Sequence, residues 1–339
     1  MKRLYFIILV LLAVSVESYG QGKVVIGQYF QNLPAFSPAL TGANDYLDIR
    51  TGYRKQWAGF DGAPTTAFLS LYSPIRLKKN PYKANSLRTS SNAQYYKGGD
   101  INNNDSGKGG TRLGIGGYVL LDDQGPFQEL ESMLSFAVHI PLSKNKYISL
   151  GASGGLLNSS IDLDEITVVD DINDQTFLSY QNNGASNTFF NFNAGVALHS
   201  DAFYISYSAM QLTRTFLSGN EAVNNEGASI RHHLIGGIRL YFHEKWEVIP
   251  NTFIRSEANQ PLFYEAGVRL RYNQNLWFGA SYRNDASAVG MLGFAFSDKV
   301  NFGYAYEFKS SDFDNFNNGS HEIILGFRLF NFNNYTSIW

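Results

Sequence analysis

The stretch Val300-Asn301-Phe302-Gly303-Tyr304-Ala305-Tyr306-Glu307-Phe308 decides the fold class. Val300, Phe302, Tyr304, Tyr306 and Phe308 share one parity, and Asn301, Gly303, Ala305 and Glu307 share the other. An extended chain sends successive side chains to opposite faces. The stretch therefore reads as a strand with one aromatic face and one small or polar face. Moving outward, the same period recurs. Tyr264, Ala266, Val268, Leu270 and Tyr272 alternate with Glu265, Gly267, Arg269 and Arg271. Ile323, Leu325, Phe327 and Leu329 alternate with Glu322, Gly326 and Arg328. About 14 such segments follow one another, an even number in the range of outer-membrane barrels. They lie near 47–57, 65–73, 112–121, 130–141, 147–161, 188–200, 202–211, 231–242, 247–256, 262–272, 276–283, 288–296, 300–308 and 320–330. Most are about 8–12 residues long, close to the length of a tilted membrane strand.

A soluble β-sandwich is the competing architecture, and it fails on its polar face. That face carries Arg, Glu and Asn, which a sandwich core buries only at high cost. A barrel lumen accepts them, while Tyr and Phe on the other face suit lipid and its interfaces. The pattern predicts an all-β transmembrane outer-membrane β-barrel of about 14 antiparallel strands.

Composition agrees. The chain has 339 residues, a formal net charge of −2, 44% hydrophobic and 15% aromatic residues, 32 glycines and no cysteine. A mean hydropathy of −0.20 excludes a bundle of membrane helices, but not a barrel, whose lipid-facing and polar residues average out. Balanced charge argues against a nucleic-acid binder. The lack of cysteine excludes disulfide scaffolds, Cys-ligated zinc and thiol catalysis. At the N-terminus, Lys2 and Arg3 precede the apolar run Leu4–Val16, and Ser18-Tyr19-Gly20 offers small residues for cleavage. This is the layout of a signal peptide, and the run is shorter than the roughly 20 residues of a spanning helix. The expected organisation is a signal peptide at 1–20, cleaved near Gly20, a plug-like segment at 21–46 and the barrel at 47–339.

Connection lengths give a second, independent signal, because barrels of this kind have short periplasmic turns and long external loops. With strand one running outward, Leu142–Lys146, the region around Asp201, His243–Lys245, Asn273–Asn275 and Ser297–Lys299 fall in the periplasm, and all are tight. Asp162–Asn187, Leu212–Ile230 and Lys309–Gly319 fall outside, and all are long and polar. Pro74–Gly110 breaks the rule. It is long, periplasmic by parity, and carries Arg76, Lys78, Lys79, Lys83, Arg88, Lys97 and Lys108 against Asp100 and Asp105. It reads either as a solvated polar insertion or as a basic contact for a periplasmic partner.

Catalytic constellations are weak. Ser320-His321-Glu322 brings together triad residue types, but neighbours on a strand point to opposite faces and form no relay. His232-His233 fails as a metal pair for the same reason. Asp162, Asp164, Glu165, Asp170, Asp171 and Asp174 lack the glycine-pinned spacing of a calcium loop, which leaves a solvated loop or a loose cation site. Gly114–Gly117 and Gly151–Gly155 lie within strands with no helix following. They mark bends or close backbone approach rather than phosphate loops. No enzyme, no cofactor and no metal are expected.

The lumen face is richer. Arg50, Arg54, Arg231, Arg239, Glu265, Arg269, Arg271, Arg283, Glu307, Glu322 and Arg328 are predicted to point inward. Charges of both signs there imply either a wetted channel or ion pairs that grip an internal plug. The candidate plug is Gln28–Gly42, with Pro34 and Pro38, which reads as ordered coil. Its expected contacts are Gln28, Tyr29, Pro38 and Ala39 against Arg54, Gln56, Arg231, Arg269, Arg283, Glu307 and Glu322.

Several motifs resemble one family in order and spacing: Gln28-Tyr29-Phe30-Gln31-Asn32 followed by Ser37-Pro38-Ala39-Leu40-Thr41-Gly42; Tyr53-Arg54-Lys55-Gln56-Trp57; and Pro64-Thr65-Thr66-Ala67-Phe68-Leu69-Ser70. Further along come Gly114–Tyr118 with Asp122–Pro126, Arg231-His232-His233, Trp277–Arg283, Gly303–Tyr306 and Gly319–Ile323. Together they are similar to the PorP/SprF family of type IX secretion system membrane proteins. Leu33-Pro34 and Ser37 replace the family's usual Asn-Pro and Asn, and the 74–110 insertion is long. The resemblance implies an outer-membrane barrel that serves type IX secretion or gliding motility. Some members connect to the periplasmic ring of the machine. Others receive the C-terminal targeting domain of a large secreted adhesin and anchor it at the cell surface. Under that reading the external loops, with Asp164, Asp170, Asp171, Asp174, Phe216, Asp312 and Phe313, would hold the partner. A passive porin or solute channel is the alternative.

Overall fold

A computed structural model describes residues 26–60, 62–75, 110–143, 145–167, 174–220, 229–297, 299–309 and 318–330. The signal-peptide region and most of the basic insertion lie outside these residues. The strands are β1 (Leu47–Lys55), β2 (Thr65–Ile75), β3 (Arg112–Gln124), β4 (Phe127–Ser143) and β5 (Lys146–Ile161). They continue with β6 (Ser186–Ser200), β7 (Phe203–Ser218), β8 (Arg231–Ile238), β9 (Leu240–His243) and β10 (Trp246–Glu257). The last are β11 (Phe263–Tyr272), β12 (Leu276–Arg283), β13 (Ser287–Ala295), β14 (Val300–Lys309) and β15 (Ser320–Leu329). Every pairing is antiparallel; all but two join chain neighbours, the exceptions being β8 with β10 and β1 with β15, which closes the ring. Both β8 and β9 lie on β10. They are two halves of one stave interrupted at Arg239, whose N–H bonds Ala202 O at 2.7 Å. The ring is therefore a closed barrel of fourteen antiparallel staves.

The alternation predicted from sequence is the alternation observed. On β14, Asn301, Gly303, Ala305 and Glu307 are buried inside, while Tyr306 and Phe308 are exposed outside. Leu134 on β4 is 77% exposed. In water that would be an unfavourable place for a leucine, whereas against hydrocarbon it is the favourable one. Phe242, Trp246 and Tyr272 stack near the tight-turn end, with ring centroids 6.4 and 4.8 Å apart, where amphipathic rings meet the membrane interface.

Strand lengths depart from expectation on one side. β4 to β7 run 17, 16, 15 and 16 residues, longer than the membrane band requires. Their outer ends pair with one another, so the ladder continues past the lipid. β7 extends to Ser218 rather than ending near 211. Gln211 takes a left-handed backbone (φ 57) at a shift in the β6–β7 register, and Asn193 Oδ1 accepts its N–H at 2.7 Å. The bulge sets Met210–Leu212 against Asn193 alone and keeps the inward parity. Beyond it the inward residues are Leu212, Arg214 and Phe216 and the outward ones begin with Thr213 and Thr215, so the apolar outward pattern that marks the strand in sequence stops there. Between β5 and β6 the chain also forms a helix, Gln175–Asn183, whose first turn is capped by Asp174 Oδ1 on Phe177 N–H at 3.0 Å.

Candidate functional site

Inward positions on neighbouring staves stack charge on charge. Glu322 on β15 lies 3.5 Å from Arg54 on β1, and Arg54 reaches Glu307 on β14 at 2.8 Å. Glu307 also holds Arg283 on β12, which bonds Glu265 on β11 through Nε at 2.7 Å. On the stave between, β13, the inward residue beside Glu307 is Val289. The belt thus alternates Glu, Arg, Glu, Arg, Glu, with three carboxylates against two guanidiniums. Its end member, Glu322, is 1% exposed and would be left with excess negative charge. That excess meets Gly27 and Gln28, whose backbone N–H groups donate to the two Glu322 oxygens at 2.6 and 2.8 Å.

From this clamp the chain crosses the whole lumen before entering β1. It runs through 3-10 turns at Tyr29–Asn32 and Pro38–Leu40 and one α-helical turn at Leu33–Phe36. Pro34 and Pro38 open these turns where a missing N–H costs least. Tyr29, Leu33 and Ala39 are 0% exposed, and Phe30 and Leu40 are 1% exposed. Asn251 on β10 donates to Tyr29 Oη at 2.6 Å. Phe30 lies under the Arg269 guanidinium at 3.7 Å and edge-on to Trp277. On the far wall, Ser208 and His233 bond Phe36 O, and Ser37 meets Ser206. Thr41 O accepts from His139 Nε2 at 2.8 Å, and His139 is tied through Ser149 to His199. Asp45 pairs with Arg112 at 2.6 Å where the segment turns into β1.

Three wall glycines make this passage possible. A Cβ at Gly151 would collide with Pro38 O and Ala39 N, one at Gly114 with Thr41 O, and one at Gly303 with the Gln28 and Gln31 side chains. The obstructing atoms at Gly114 and Gly151 are backbone, so no side-chain rotation relieves the clash. The strand glycines are close-approach sites. Replacing Gly151 by Val is expected to lift the 38–42 turn off the wall, at a cost of about 1–3 kcal/mol for overpacking. Limited proteolysis reads the result: new cleavage within 34–44 is expected, and full protection equal to wild type would refute the packing.

The predicted site residues sort clearly. Gln28, Tyr29, Pro38 and Ala39 are buried in the lumen with Arg54, Arg269, Arg283, Glu307 and Glu322. Arg231 stands apart from the belt and pairs with Glu257 at 3.1 Å. Gln56 does not join these contacts. It follows the end of β1, and its N–H bonds Pro64 O at 2.9 Å, closing the β1–β2 loop. The expected strand, 47–57, runs two residues past Lys55, and only that extension gives Gln56 the inward parity. Phe216 is likewise not a loop residue. It sits on the extended β7 with its ring against Phe189 at 5.9 Å. Asp164 and Asp174 are exposed at the long-loop end, while Asp170, Asp171, Asp312 and Phe313 lie outside the described residues. His232 and His233 face opposite ways, as do His321 and its neighbours Ser320 and Glu322. Asp48, Glu247, Asn251 and the His139–Ser149–His199 group also line the lumen. Their inward parity was readable, but nothing in sequence ranks them above other polar residues.

A family model described as type IX secretion system membrane protein PorP/SprF matches residues 18–327. Among solved structures, Omp33 of Acinetobacter baumannii is 8% identical with a TM-score of 0.43, over 85% of this chain and 100% of that one. The toluene transporter TbuX of Ralstonia pickettii is 8% identical with a TM-score of 0.46, over 86% and 92%. The toluene transporter TodX of Pseudomonas putida is 12% identical with a TM-score of 0.43, over 92% and 94%. No curated protein matches.

Proposed function

Because the chain belongs to the PorP/SprF family of type IX secretion system membrane proteins, an outer-membrane component of that machinery, we propose that it is a dedicated receptor barrel. It binds the C-terminal targeting domain of a cognate secreted adhesin and holds the exported protein at the cell surface. In this reading the barrel catalyses nothing. Residues 26–46 act as a permanent plug, and the loops at 162–185, 219–230 and 310–319 form the docking surface. The observation that carries the reading is the filled lumen. A passive solute channel needs a continuous aqueous path, whereas here an aromatic segment crosses the bore and is bonded to opposite walls. Two cavities among the described residues beside it measure about 40 and 90 Å³. The extended β4–β7 ladder supports the same reading, since it raises a paired platform beneath the loop between β5 and β6.

Gene deletion followed by surface proteomics tests this. One or a few large surface proteins should disappear from the cell surface while the rest of the type IX cargo stays. Complementation with a chain lacking 163–184 should restore the barrel in the membrane without restoring the cargo. An unchanged surface proteome would sink the receptor role.

A further inference from the structure

At the tight-turn end, away from the Glu322 clamp, the lumen keeps a cavity of about 40 Å³. Arg50, Arg269, Arg271 and Arg328 wall one side, and Phe30 and Trp277 wall the other. Charge there does not balance. Arg50 grips Asp48 at 2.9 and 3.1 Å. Arg271 grips Glu247 through Nε at 2.7 Å, and Arg239 shares the same carboxylate at 3.6 Å. Among the described residues, no carboxylate lies within ion-pair distance of Arg269 or Arg328. Five guanidiniums therefore meet two carboxylates.

Arg269 is the most telling member. It is 5% exposed, and its Nε and Nη2 have no acceptor. Its flat face is occupied by the Phe30 ring at 3.7 Å, which satisfies the cation's face but not its N–H edge. Arg328 Nε also lacks an acceptor. Unpaired donors on a buried cation are costly, and adjacent guanidinium N–H groups match the two oxygens of an oxyanion.

We propose that this cavity is a carboxylate-binding site facing the periplasmic end, with Arg269 as the anchoring cation and Arg328 as the second donor. The volume holds about three water-sized groups, the size of one carboxylate. The apolar wall of Phe30 and Trp277 suits the carbon bearing that carboxylate, which a hydrated inorganic anion does not possess. The site is independent of the surface-receptor reading and lies at the opposite end of the barrel.

Thermal unfolding of the purified full-length chain in detergent tests it, with acetate titrated against chloride at constant ionic strength. Acetate should give a saturable rise in melting temperature that chloride does not. Arg269→Gln should abolish the response, and Arg328→Gln, at the more exposed rim, should weaken apparent affinity about tenfold. If R269Q does not fold, R328Q carries the test. A short peptide with a free C-terminus, set against its C-terminal amide, distinguishes a chain-end carboxylate from a small free acid. A stronger response to inorganic phosphate than to acetate would overturn the carboxylate assignment. Equal responses to acetate and chloride, or a wild-type response in both variants, would overturn the site itself.

Discussion

Removal of residues 26–44, with the signal sequence joined directly to Asp45, is expected to convert a silent barrel into a conducting pore. In planar bilayers the intact chain should show no steady current, and the shortened chain a steady ohmic one. The cause is volume. A fourteen-stave barrel encloses more space than its own wall side chains fill, and the space here is taken by Tyr29, Phe30, Leu33 and Leu40, none more than 1% exposed. No described strand residue replaces them. The wall itself does not depend on the segment, because every stave is bonded to two others and β1 closes on β15. Equal conductance from both chains would show that the segment does not seal the lumen. Gly151→Val offers a milder version, since it displaces one turn and leaves the rest of the crossing in place.

The second large effect concerns Glu322. Glu322→Ala should destabilise the folded barrel by about 3–5 kcal/mol, the usual cost of removing one partner from a buried charge cluster. Two backbone donors, Gly27 N–H and Gln28 N–H, lose their acceptor at once, and Arg54 loses one of its two carboxylates. Glu322→Gln keeps an acceptor oxygen of the same shape, so its cost should be nearer about 1–3 kcal/mol. Urea unfolding in lipid vesicles measures both. The same alanine substitution in the chain lacking 26–44 should cost much less, because the donors are gone, and the difference is the coupling between clamp and segment. Equal costs in the two backgrounds would mean that Glu322 serves only its neighbouring strands.

Most of the architecture was legible in sequence because strand faces are a local property. Val300 to Phe308 sorts its own side chains by parity without reference to any other stave. Connection lengths then set which ends of the staves gather together. Legibility failed where the apolar outward pattern stopped while the strand ran on. Past the bulge at Gln211 the outward positions turn polar at Thr213 and Thr215, which concealed seven further residues of β7, from Leu212 to Ser218, and so assigned Phe216 to a loop. Gln56 failed for a related reason: parity assigns a face only as far as the strand continues, and β1 ends at Lys55. The inward charges were readable as a set, but not as pairs. Arg54 could have met any carboxylate of the lumen wall, and the choice of Glu307 and Glu322 follows from the registers of β1, β14 and β15.

By itself the sequence determined the strand count, the outward and lumen faces, the gathering of short and long connections at opposite ends and the presence of an ordered segment before β1. Each of these rests on spacing within a few residues. Only the tertiary structure decided what the lumen contains. Gly27 meets Glu322 across 295 positions of sequence, and Pro38 meets Gly151 because a wall without a Cβ admits a backbone. Contacts of that kind exist only after the ring has closed, when residues far apart in the chain are held on facing walls of one enclosed space.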